Sequence, residues 1–597
     1  MTLRIPIGIS DFRRLREGNF EFVDKSHLIT EFLDRDGIKV LLLPRPRRFG
    51  KSINLSMLRW FFEKRDETLW HLFEDLHVAR AGEQYRAHFQ QYPVIDISFK
   101  GTKANTWDEC RQKIRDVVCE MFKAHQESLA GRLDEYDQPK YTAVLNGTAN
   151  DVAYQQALYH LTKYLHQVHG KRPMVLIDEY DAPIHAGYAH GYYDQVASFC
   201  RSFYEAGLKD NQHLDRAVMT GILRVARESI FSGLNNLLGA FSLLASEFNT
   251  CFGFTDAEVL TLLQKAGIPE AMDPLRSFYN GYEFGGVAIY NPWSILEFLS
   301  GKEKQFLNYW VNTSDNALIK HLLQRHAFAV EKDIQTLLEG GTIEKKLDEN
   351  IVFSELETSP RSLWNLLVFS GYLKAARPGP VYMMAAPEYR LSIPNREVAE
   401  VYQRTFQSWM DKGLNPGGGN IEALTSALLE GNAKDFEDQL QKFITFLPSY
   451  HDVQGAKPEQ FYQGLMIGLL AMLEPDYEVR SNRESGTGRP DVMIKPRRAG
   501  KPGVVLELKT AGKRVKRTIK QALNEGLRQV QKNDYAADLR AAGVETIHTL
   551  VIAFDGKQVL VESGDKKAHK KAKPLRNVGA SVKEAVKKAA KAKKQRA

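Results

Sequence analysis

The most constraining feature of this sequence is an apolar run, residues 504–509, that contains one acid and one base. Successive residues of a β-strand alternate between its two faces, so Glu507 and Lys509 would point to the same side. The leucines that flank Lys509 and Glu507 would point to the other side, into a core. A carboxylate and an ammonium are costly to bury unless they are paired or bind a ligand. The run therefore predicts a strand with a charged site on one face and core residues on the other.

A second carboxylate, Asp491, begins another predicted strand at residues 491–494, and a polar loop separates this strand from Glu507. A hairpin of this length brings Asp491 and Glu507 close together. A divalent cation between the two carboxylates removes the cost of burying them, and oxygen ligands suit Mg²⁺. Such a cation turns water into a usable nucleophile. Lys509 can orient that water or stabilise charge on phosphate oxygens, so these residues predict a catalytic magnesium site.

A second motif lies near the N-terminus, where an apolar strand at residues 39–43 leads through a loop to Gly50, Lys51 and Ser52. An amphipathic helix follows. This order is the context that a phosphate-binding loop requires, because backbone amides and the helix N-terminus together cradle phosphate. Lys51 would contact the β- and γ-phosphates of ATP, and Ser52 would ligate Mg²⁺. The motif therefore predicts a nucleotide site.

The loop differs from the G-x-x-x-x-G-K-S pattern at its first position. Arg45 stands where that pattern has glycine, and two further arginines, Arg47 and Arg48, follow it. Guanidinium groups bind phosphate well because their planar donors match its oxygens. The sequence therefore predicts that the loop holds a nucleotide through arginines as well as through backbone amides.

Two further strands supply partners for the loop. The apolar residues 174–177 are followed by Asp178, which would hold Mg²⁺ through water, and by Glu179, which would polarise the attacking water. A strand at residues 216–221 ends near Thr220, in a position that suits contact with the γ-phosphate. Two arginines follow, which would bind phosphate in the same chain or reach a neighbouring subunit; they are Arg224 and Arg227.

The region around the charged strand resembles the PD-(D/E)XK nuclease superfamily, in the branch that is fused to an AAA-like ATPase. The resemblance is carried by an ordered set: Glu459 in a helix, residues 488–491 (GRPD), residues 507–509 (ELK), and Gln529 with Tyr535. It implies that Gln529 joins the catalytic residues. It also implies that Glu459 is a metal ligand, although an acid is equally favourable in the first turn of a helix.

The N-terminal half resembles the AAA-ATPase-like family that is joined to this nuclease, and the resemblance covers roughly residues 4–562. It implies ATP as a cofactor, and the arginine-rich form of the phosphate loop is typical of the family. The residues that carry the resemblance are 6–12, 23–26, 45–52, 221–224, 228–236, 279–282 and 290–294.

These patterns predict an α/β multidomain protein with a disordered basic tail. An AAA-like P-loop ATPase domain, an α/β sandwich, is expected at residues 1–300, and a PD-(D/E)XK α/β nuclease fold at residues 451–563. The intervening residues 301–450 are expected to form a mostly helical lid or spacer, with a winged-helix surface that contacts DNA as the alternative. The tail comprises residues 564–597.

Positive charge is concentrated in the tail. The whole chain carries +8, but residues 566–597 contain 13 lysines and arginines and one acid, a net of +12. Residues 1–565 are therefore net −4. A segment rich in lysine and alanine, without aromatic residues, has too little apolar surface to form a core. Its charge suits a non-specific tether to a polyanion, and a solvated terminus without a dedicated partner is the alternative.

The predicted function is that of an ATP-binding, ATP-regulated and Mg²⁺-dependent nuclease, with DNA favoured over RNA as the substrate. One alternative is a nucleotide-controlled switch that binds nucleic acid through an inactive nuclease fold. Another is a signalling NTPase of defence type with a nuclease effector. The longest apolar run has 10 residues, against ~20 for a membrane span, and the four cysteines are scattered. We therefore expect a cytoplasmic protein without a membrane partner, and a homo-oligomer, because related ATPases form rings or dimers.

Overall fold

The structure is a computed structural model that divides the chain into two compact units, Met1–Phe406 and Gln407–Ala597. The residues that it describes are 3–225, 238–310, 317–338, 340–377, 388–402, 421–446, 462–463, 466, 469–470, 473, 476–481, 490–512, 517–556 and 558–565.

The first unit contains ten strands and seventeen α-helices among its described residues. The strands are β1 (Val40–Pro44), β2 (Val94–Ser98), β3 (Met174–Asp178), β4 (Ala217–Gly221), β5 (Leu238–Ala240), β6 (Tyr282–Phe284), β7 (Val287–Ile289), β8 (Ile343–Lys346), β9 (Lys374–Ala376) and β10 (Glu388–Ser392). The helices are α1 (Phe12–Glu17), α2 (His27–Leu33), α3 (Lys51–Phe62), α4 (His77–Arg80), α5 (Glu83–Arg86), α6 (Trp107–Lys123), α7 (Gln126–Leu129), α8 (Asp137–Leu145), α9 (Asp151–His169), α10 (Ala182–His190), α11 (Tyr193–Leu208), α12 (Asp256–Lys265), α13 (Met272–Tyr279), α14 (Pro292–Ser300), α15 (Ala317–Arg325), α16 (Ala327–Leu338) and α17 (Pro360–Phe369).

A parallel sheet organises this unit, and its strand order is β2-β3-β4-β1-β5. Every neighbouring pair in it is parallel. Strands β1, β3 and β4 are buried at every residue, which is why their sequences are continuous apolar runs. These are the three strands predicted at residues 39–43, 174–177 and 216–221, and their existence is confirmed. Because parallel strands end at the same edge of a sheet, the segments that follow β1, β3 and β4 meet there.

Helix α3 starts at that edge, directly after the loop that follows β1. Gly50 precedes it with φ +85°, a left-handed conformation that costs glycine little. The helix ends at Phe62, as the sequence predicts, and it buries Leu55, Leu58 and Phe61. The loop and the helix N-terminus are therefore fixed by the core on one side and by the sheet edge on the other.

The stretch between residues 301 and 406 combines helices with a small sheet. Helices α15, α16 and α17 lie here, as the prediction of a mostly helical region expects, but β8, β10 and β9 form a three-stranded antiparallel sheet as well. Its strands have only three to five residues, too few to show a clear two-residue alternation of apolar and polar side chains. The domain boundaries predicted at residues 300, 450 and 563 stay predictions.

Gly281 lies where two backbone segments of the first unit pass in contact. Its φ is +133°, and a Cβ atom here would lie 1.6 Å from the carbonyl oxygen of Pro394. We expect Gly281→Ala to lower the free energy of unfolding by about 3 kcal/mol or more, because one segment must move. Denaturant unfolding measures this loss. Gly286→Ala is the matched control, since φ there is +84° but no atom lies within 4 Å; equal losses for the two variants would contradict the prediction.

The second unit contains a mixed five-stranded sheet among its described residues. The strands are β11 (Tyr477–Ser481), β12 (Val492–Pro496), β13 (Gly503–Thr510), β14 (Ile547–Asp555) and β15 (Gln558–Ser563), paired in chain order. Only β13 and β14 are parallel to each other. The helices are α18 (Ile421–Leu429), α19 (Ala433–Phe446), α20 (Ile519–Lys532) and α21 (Ala537–Ala541). The predicted strands and the helix predicted at 519–531 are confirmed, while Glu459, residues 488–489 and residues 566–597 lie outside the described part.

The two faces of this sheet differ in the way that the sequence of β13 predicts. One face joins Leu506 and Leu508 to an apolar cluster with α18 and α19. Helix α20 covers the opposite face, where Ala522 and Leu523 pack against β14, and a capping box formed by Thr518 and its N3 glutamine fixes its start. Glu507 and Lys509 lie on this second face, beneath α20.

No helix among the described residues combines the length and the apolar character needed to cross a membrane. All four cysteines lie in described segments, and all four are free thiols.

Candidate nucleotide and metal sites

The predicted phosphate loop is closed by its own lysine. The Lys51 ammonium is buried and donates hydrogen bonds to the carbonyl oxygens of Arg45 (3.0 Å) and Pro46 (2.9 Å). Burial lowers the pKa of Lys51, and the nearby carboxylates of Asp178 and Glu179 oppose this shift. The lysine thus already lies inside the loop that it is predicted to share with phosphate.

The predicted magnesium ligands of the first unit lie in direct contact. Ser52 Oγ donates to Asp178 Oδ2 over 2.5 Å, and Thr220 Oγ1 donates to Asp178 Oδ1 over 2.7 Å. Strand β4 lies between β1 and β3, which explains how Thr220 reaches Asp178. A hydroxyl beside a carboxylate is a pair of oxygen ligands that suits Mg²⁺ bound with a nucleotide. The structure therefore brings these three predicted residues together.

Glu179 takes an unusual backbone conformation at the end of β3. Its φ is +50°, a left-handed value that non-glycine residues rarely adopt, and its amide donates to Asp178 Oδ1 (3.0 Å). Such conformations often occur at functional sites. The side chain of Glu179 lines a cavity together with Lys51 and Ser52. Glu179 is therefore positioned beside the magnesium ligands, on the side open to a nucleotide.

Sequence analysis missed Asp181, which is buried beside Glu179. Its Oδ2 accepts hydrogen bonds from the amides of Ile222 and Leu223 (2.9 Å each) and from the ring of His185 (3.1 Å). Burial raises the pKa of Asp181, but His185 and the two amides outweigh it, so the pKa falls below its usual value. Asp181 therefore ties the end of β3 to the end of β4. No motif indicated this role, because the contact depends on the packing of the two strands.

The cavity has a volume of about 470 Å³, and one part of its wall is charged while another is apolar. The charged part contains Arg47 and Arg48 as well as Lys51. The guanidinium of Arg48 lies over the indole of Trp293, 4.1 Å from the ring centre, which fixes its direction. The apolar part includes Phe254. A cavity of this size and polarity suits a nucleotide.

The structure places Arg45 behind the loop rather than in the cavity. Its guanidinium is 1% exposed and donates to the carbonyl oxygens of Pro44 (2.8 Å), Phe241 (2.7 Å) and Phe248 (3.0 Å). Burial lowers its pKa to about 10. Arg45 does not line the cavity, so this geometry lends no support to the predicted contact with phosphate. Its contacts instead hold the loop against the segment that follows β5.

Arg224 also has a protein partner. It forms an ion pair with Glu349 (3.3 Å), and its carbonyl accepts from the amide of Ile351 (2.9 Å). Neither prediction for Arg224, phosphate binding in the same chain or contact with another subunit, is supported by these contacts. Arg227 lies outside the described residues.

His27, Glu31 and Cys251 bring three ligand-type atoms within 4.8 Å of one another. Glu31 already accepts a hydrogen bond from the amide of Phe248 (3.0 Å), and His27 Nε2 lies 3.2 Å from Thr250 Oγ1. The cations Lys25 and Arg45 act electrostatically on the same thiol, and they oppose binding of a metal ion. We therefore regard this cluster as part of the polar packing around the phosphate loop.

The charged residues of β13 form the candidate site of the second unit. Lys509 Nζ lies 2.5 Å from Glu507 Oε1, and both side chains are buried. Val492 pairs with Leu506 across the antiparallel strands, so Asp491 lies opposite Glu507. Asp491 Oδ2 accepts the amide hydrogen of Leu508 (2.7 Å). The hairpin therefore brings the two predicted carboxylates and the lysine together.

Glu507 carries the observation that favours a metal ion. Its Oε2 is buried and has no hydrogen-bond partner among the described residues. Burial raises the pKa of Glu507 to about 7, the charge of Asp491 raises it further, and Lys509 acts in the opposite direction. A carboxylate oxygen left without a donor, facing a second carboxylate, fits a hard divalent cation. Asp491 and Glu507 would hold it, and Glu459 stays a prediction because it lies outside the described residues.

Gln529 reaches this site through a tyrosine. Its Nε2 donates to the hydroxyl oxygen of Tyr535 (2.7 Å), which also accepts from Asn533 (3.0 Å). Tyr535 in turn contributes to lowering the pKa of Glu507. Gly526 lets α20 approach closely, since a Cβ atom there would lie 3.2 Å from Lys509 Cγ. The predicted role of Gln529 is therefore compatible with positioning of Tyr535.

The raised pKa of Glu507 predicts that metal binding depends on pH. Below pH 7 Glu507 holds a proton in the metal-free protein, and a cation must displace it. The affinity for Mg²⁺ or Mn²⁺ should therefore fall by up to about tenfold per pH unit below 7 and level off above it. Calorimetry in two buffers of different ionisation enthalpy, without nucleotide, counts the released protons. About one proton is expected at pH 6 and few at pH 8; equal release at both would contradict the prediction.

Comparison with known proteins agrees with both resemblances. Residues 6–231 match the AAA-ATPase-like family model, described as a predicted AAA-ATPase, and residues 457–564 match a PD-(D/E)XK nuclease superfamily model. A protein of Azotobacter chroococcum mcd 1, described as an uncharacterized protein in the vnfD 5' region, is 26% identical over 563 residues, which is 92% of this chain and 96% of that protein. The resemblance is therefore confirmed, and the chain joins a predicted AAA-ATPase domain at residues 6–231 to a PD-(D/E)XK nuclease superfamily domain at residues 457–564.

Proposed function

We propose that this protein is an ATP-regulated, Mg²⁺-dependent nuclease that cleaves phosphodiester bonds in nucleic acid, with DNA as the preferred substrate. The observation that carries the proposal is the buried, unpartnered Oε2 of Glu507 in a site that also contains Asp491 and Lys509. A buried carboxylate of this kind is expensive in a merely structural role. The proposal places the protein in the cytoplasm and away from membranes.

In the proposed nuclease site, each residue has a separate task. Asp491 and Glu507 hold the divalent cation, which supplies a polarised water and stabilises charge on the phosphate. Lys509 donates hydrogen bonds to the phosphate oxygens once Glu507 has turned toward the cation. Tyr535, held by Gln529, limits the directions in which the Glu507 carboxylate can point. Helix α20 keeps bulk water from the buried side of the site.

In the proposed ATPase site, the loop and the sheet edge divide the work. Lys51 leaves the loop carbonyls to bind the β- and γ-phosphates, and Arg48 binds phosphate from a direction fixed by Trp293. Ser52 and Asp178 hold Mg²⁺ with the nucleotide. Glu179 accepts a proton from the attacking water. Thr220 keeps Asp178 oriented through their hydrogen bond.

The test is a cleavage assay with purified full-length protein on duplex DNA, single-stranded DNA and RNA, with Mg²⁺ and with or without ATP. Wild type should cut, and ATP should change the rate. Asp491→Ala should lose cleavage under all conditions. Lys51→Ala should retain the metal site but lose the response to ATP.

Two outcomes would overturn parts of the proposal. Cleavage that survives Asp491→Ala would mean that the site lies elsewhere. Retention of nucleic acid without any cut product, under Mg²⁺ or Mn²⁺, would favour a nucleotide-controlled binding switch instead. Growth arrest on expression of the wild type, but not of Asp491→Ala, would favour the defence-type interpretation.

A further inference from the structure

Two lysines outside every motif line the same cavity as the phosphate loop. Lys100 and Lys103 lie on the turn that follows β2, residues 99–104, which we call the β2 turn. Their side chains are exposed at the cavity. Sequence analysis gave them no role, because lysines at the end of a strand are usually solvated surface residues.

The topology of the sheet places the β2 turn beside the magnesium ligands. Strand β2 pairs with β3, and its last residue, Ser98, lies opposite Asp178. The next amide, that of Phe99, donates to the carbonyl oxygen of Asp178 (3.0 Å). Neighbouring strands lie about 4.8 Å apart. Lys100 therefore begins only two residues from the backbone that carries Asp178 and Glu179.

The β2 turn is held firmly by the core behind it. Thr102 is fully buried and donates from its Oγ1 to the carbonyl oxygen of Phe99 (2.7 Å). Tyr192 donates to the carbonyl oxygen of Ala104 (2.7 Å), and Lys113 to that of Lys103 (2.6 Å). The two lysine side chains therefore extend from a fixed backbone, which lowers the entropy cost of placing them on a ligand.

Other cations at the cavity have protein partners that explain their positions. Lys51 donates to loop carbonyls, Arg48 lies over Trp293, and Lys25 is paired with Glu258 (2.7 Å). Lys100 has no side-chain hydrogen bond or ion pair with any residue that the structure describes. Cations therefore outnumber acids around the cavity, six to three, as a polyphosphate ligand requires.

The order of groups along the sheet edge indicates which phosphate the lysines meet. The loop that follows β1 and the N-terminus of α3 hold the start of the phosphate chain, while Asp178 and Glu179 at the end of β3 mark the reacting end. The β2 turn lies next to β3 on the side away from β1. We propose that Lys100 and Lys103 bind the terminal phosphate of a nucleoside triphosphate and make the site selective for the triphosphate over the diphosphate. This inference rests on the proposed nucleotide-binding function.

The test compares affinities for ATP and ADP in Mg²⁺ by calorimetry on the full-length protein. Lys100→Ala and Lys103→Ala should each weaken ATP binding by about tenfold, as expected for loss of a charge-assisted hydrogen bond. ADP binding should change by less than about threefold, because ADP lacks the terminal phosphate. Lys100→Arg should keep most of the selectivity, because it keeps the charge.

Lys123→Ala is the matched control, because Lys123 is an exposed lysine of α6 that does not line the cavity. It removes the same charge and should leave both affinities unchanged. Equal losses for ATP and ADP in the Lys100→Ala, Lys103→Ala double variant, or no loss for either, would overturn the inference while leaving nucleotide binding intact. A wild type that binds neither nucleotide would overturn the proposed function and this inference together.

Discussion

Replacing Glu507 by glutamine is expected to reduce Mg²⁺-dependent cleavage by about a thousandfold or more. The amide keeps the volume of the side chain but loses the charge that holds the cation with Asp491. Stabilisation of transition-state charge by a metal is worth several kcal/mol, and each 1.36 kcal/mol corresponds to about a tenfold change in rate. The rate of product formation on a gel measures the loss. Calorimetry should show that Mg²⁺ binding by the second unit is lost with it.

The control for this variant is Glu562→Gln, an exposed carboxylate on β15 of the same sheet. It should leave cleavage and metal binding unchanged. Circular dichroism and the unfolding temperature of both variants check that the fold persists. If Glu507→Gln cleaved at the wild-type rate, the two-carboxylate site could not be the source of the activity.

The sequence predicts β13 well because this strand is buried on both faces. All of its residues are buried, so every apolar position shows in the sequence, and the two charged residues stand out against them. The same reasoning finds β3, whose five residues are buried as well. In both cases the candidate site residues are neighbours of the strand residues, so the sequence predicts their location together with the fold.

Arg45 shows what the sequence does not predict. Its number places it in the phosphate loop, but the direction of its side chain depends on the carbonyl groups of Phe241 and Phe248, about 200 residues away. No local pattern reports which groups of a distant segment lack donors. Lys100 and Lys103 are missed for a related reason, because only the pairing of β2 with β3 brings their turn to the cavity.

The second large effect is expected at Glu179. Replacing it by glutamine should lower ATP hydrolysis by about a hundredfold or more, because the amide cannot accept a proton from the attacking water. ATP affinity should stay within about threefold of wild type, since Lys51, Ser52 and Asp178 are unchanged. Phosphate release and calorimetry measure the two quantities. Glu127→Gln, at an exposed position of α7, is the control for loss of one negative charge.

The same variant separates two ways in which ATP can regulate the nuclease. If ATP binding alone switches cleavage, Glu179→Gln should respond to ATP as the wild type does, because it still binds the nucleotide. If each round of hydrolysis is needed, the response should disappear although ATP remains bound. The left-handed backbone at position 179 is unchanged by this substitution, so a loss of hydrolysis can be assigned to the carboxylate. Phosphate release at the wild-type rate would instead mean that another group accepts the proton.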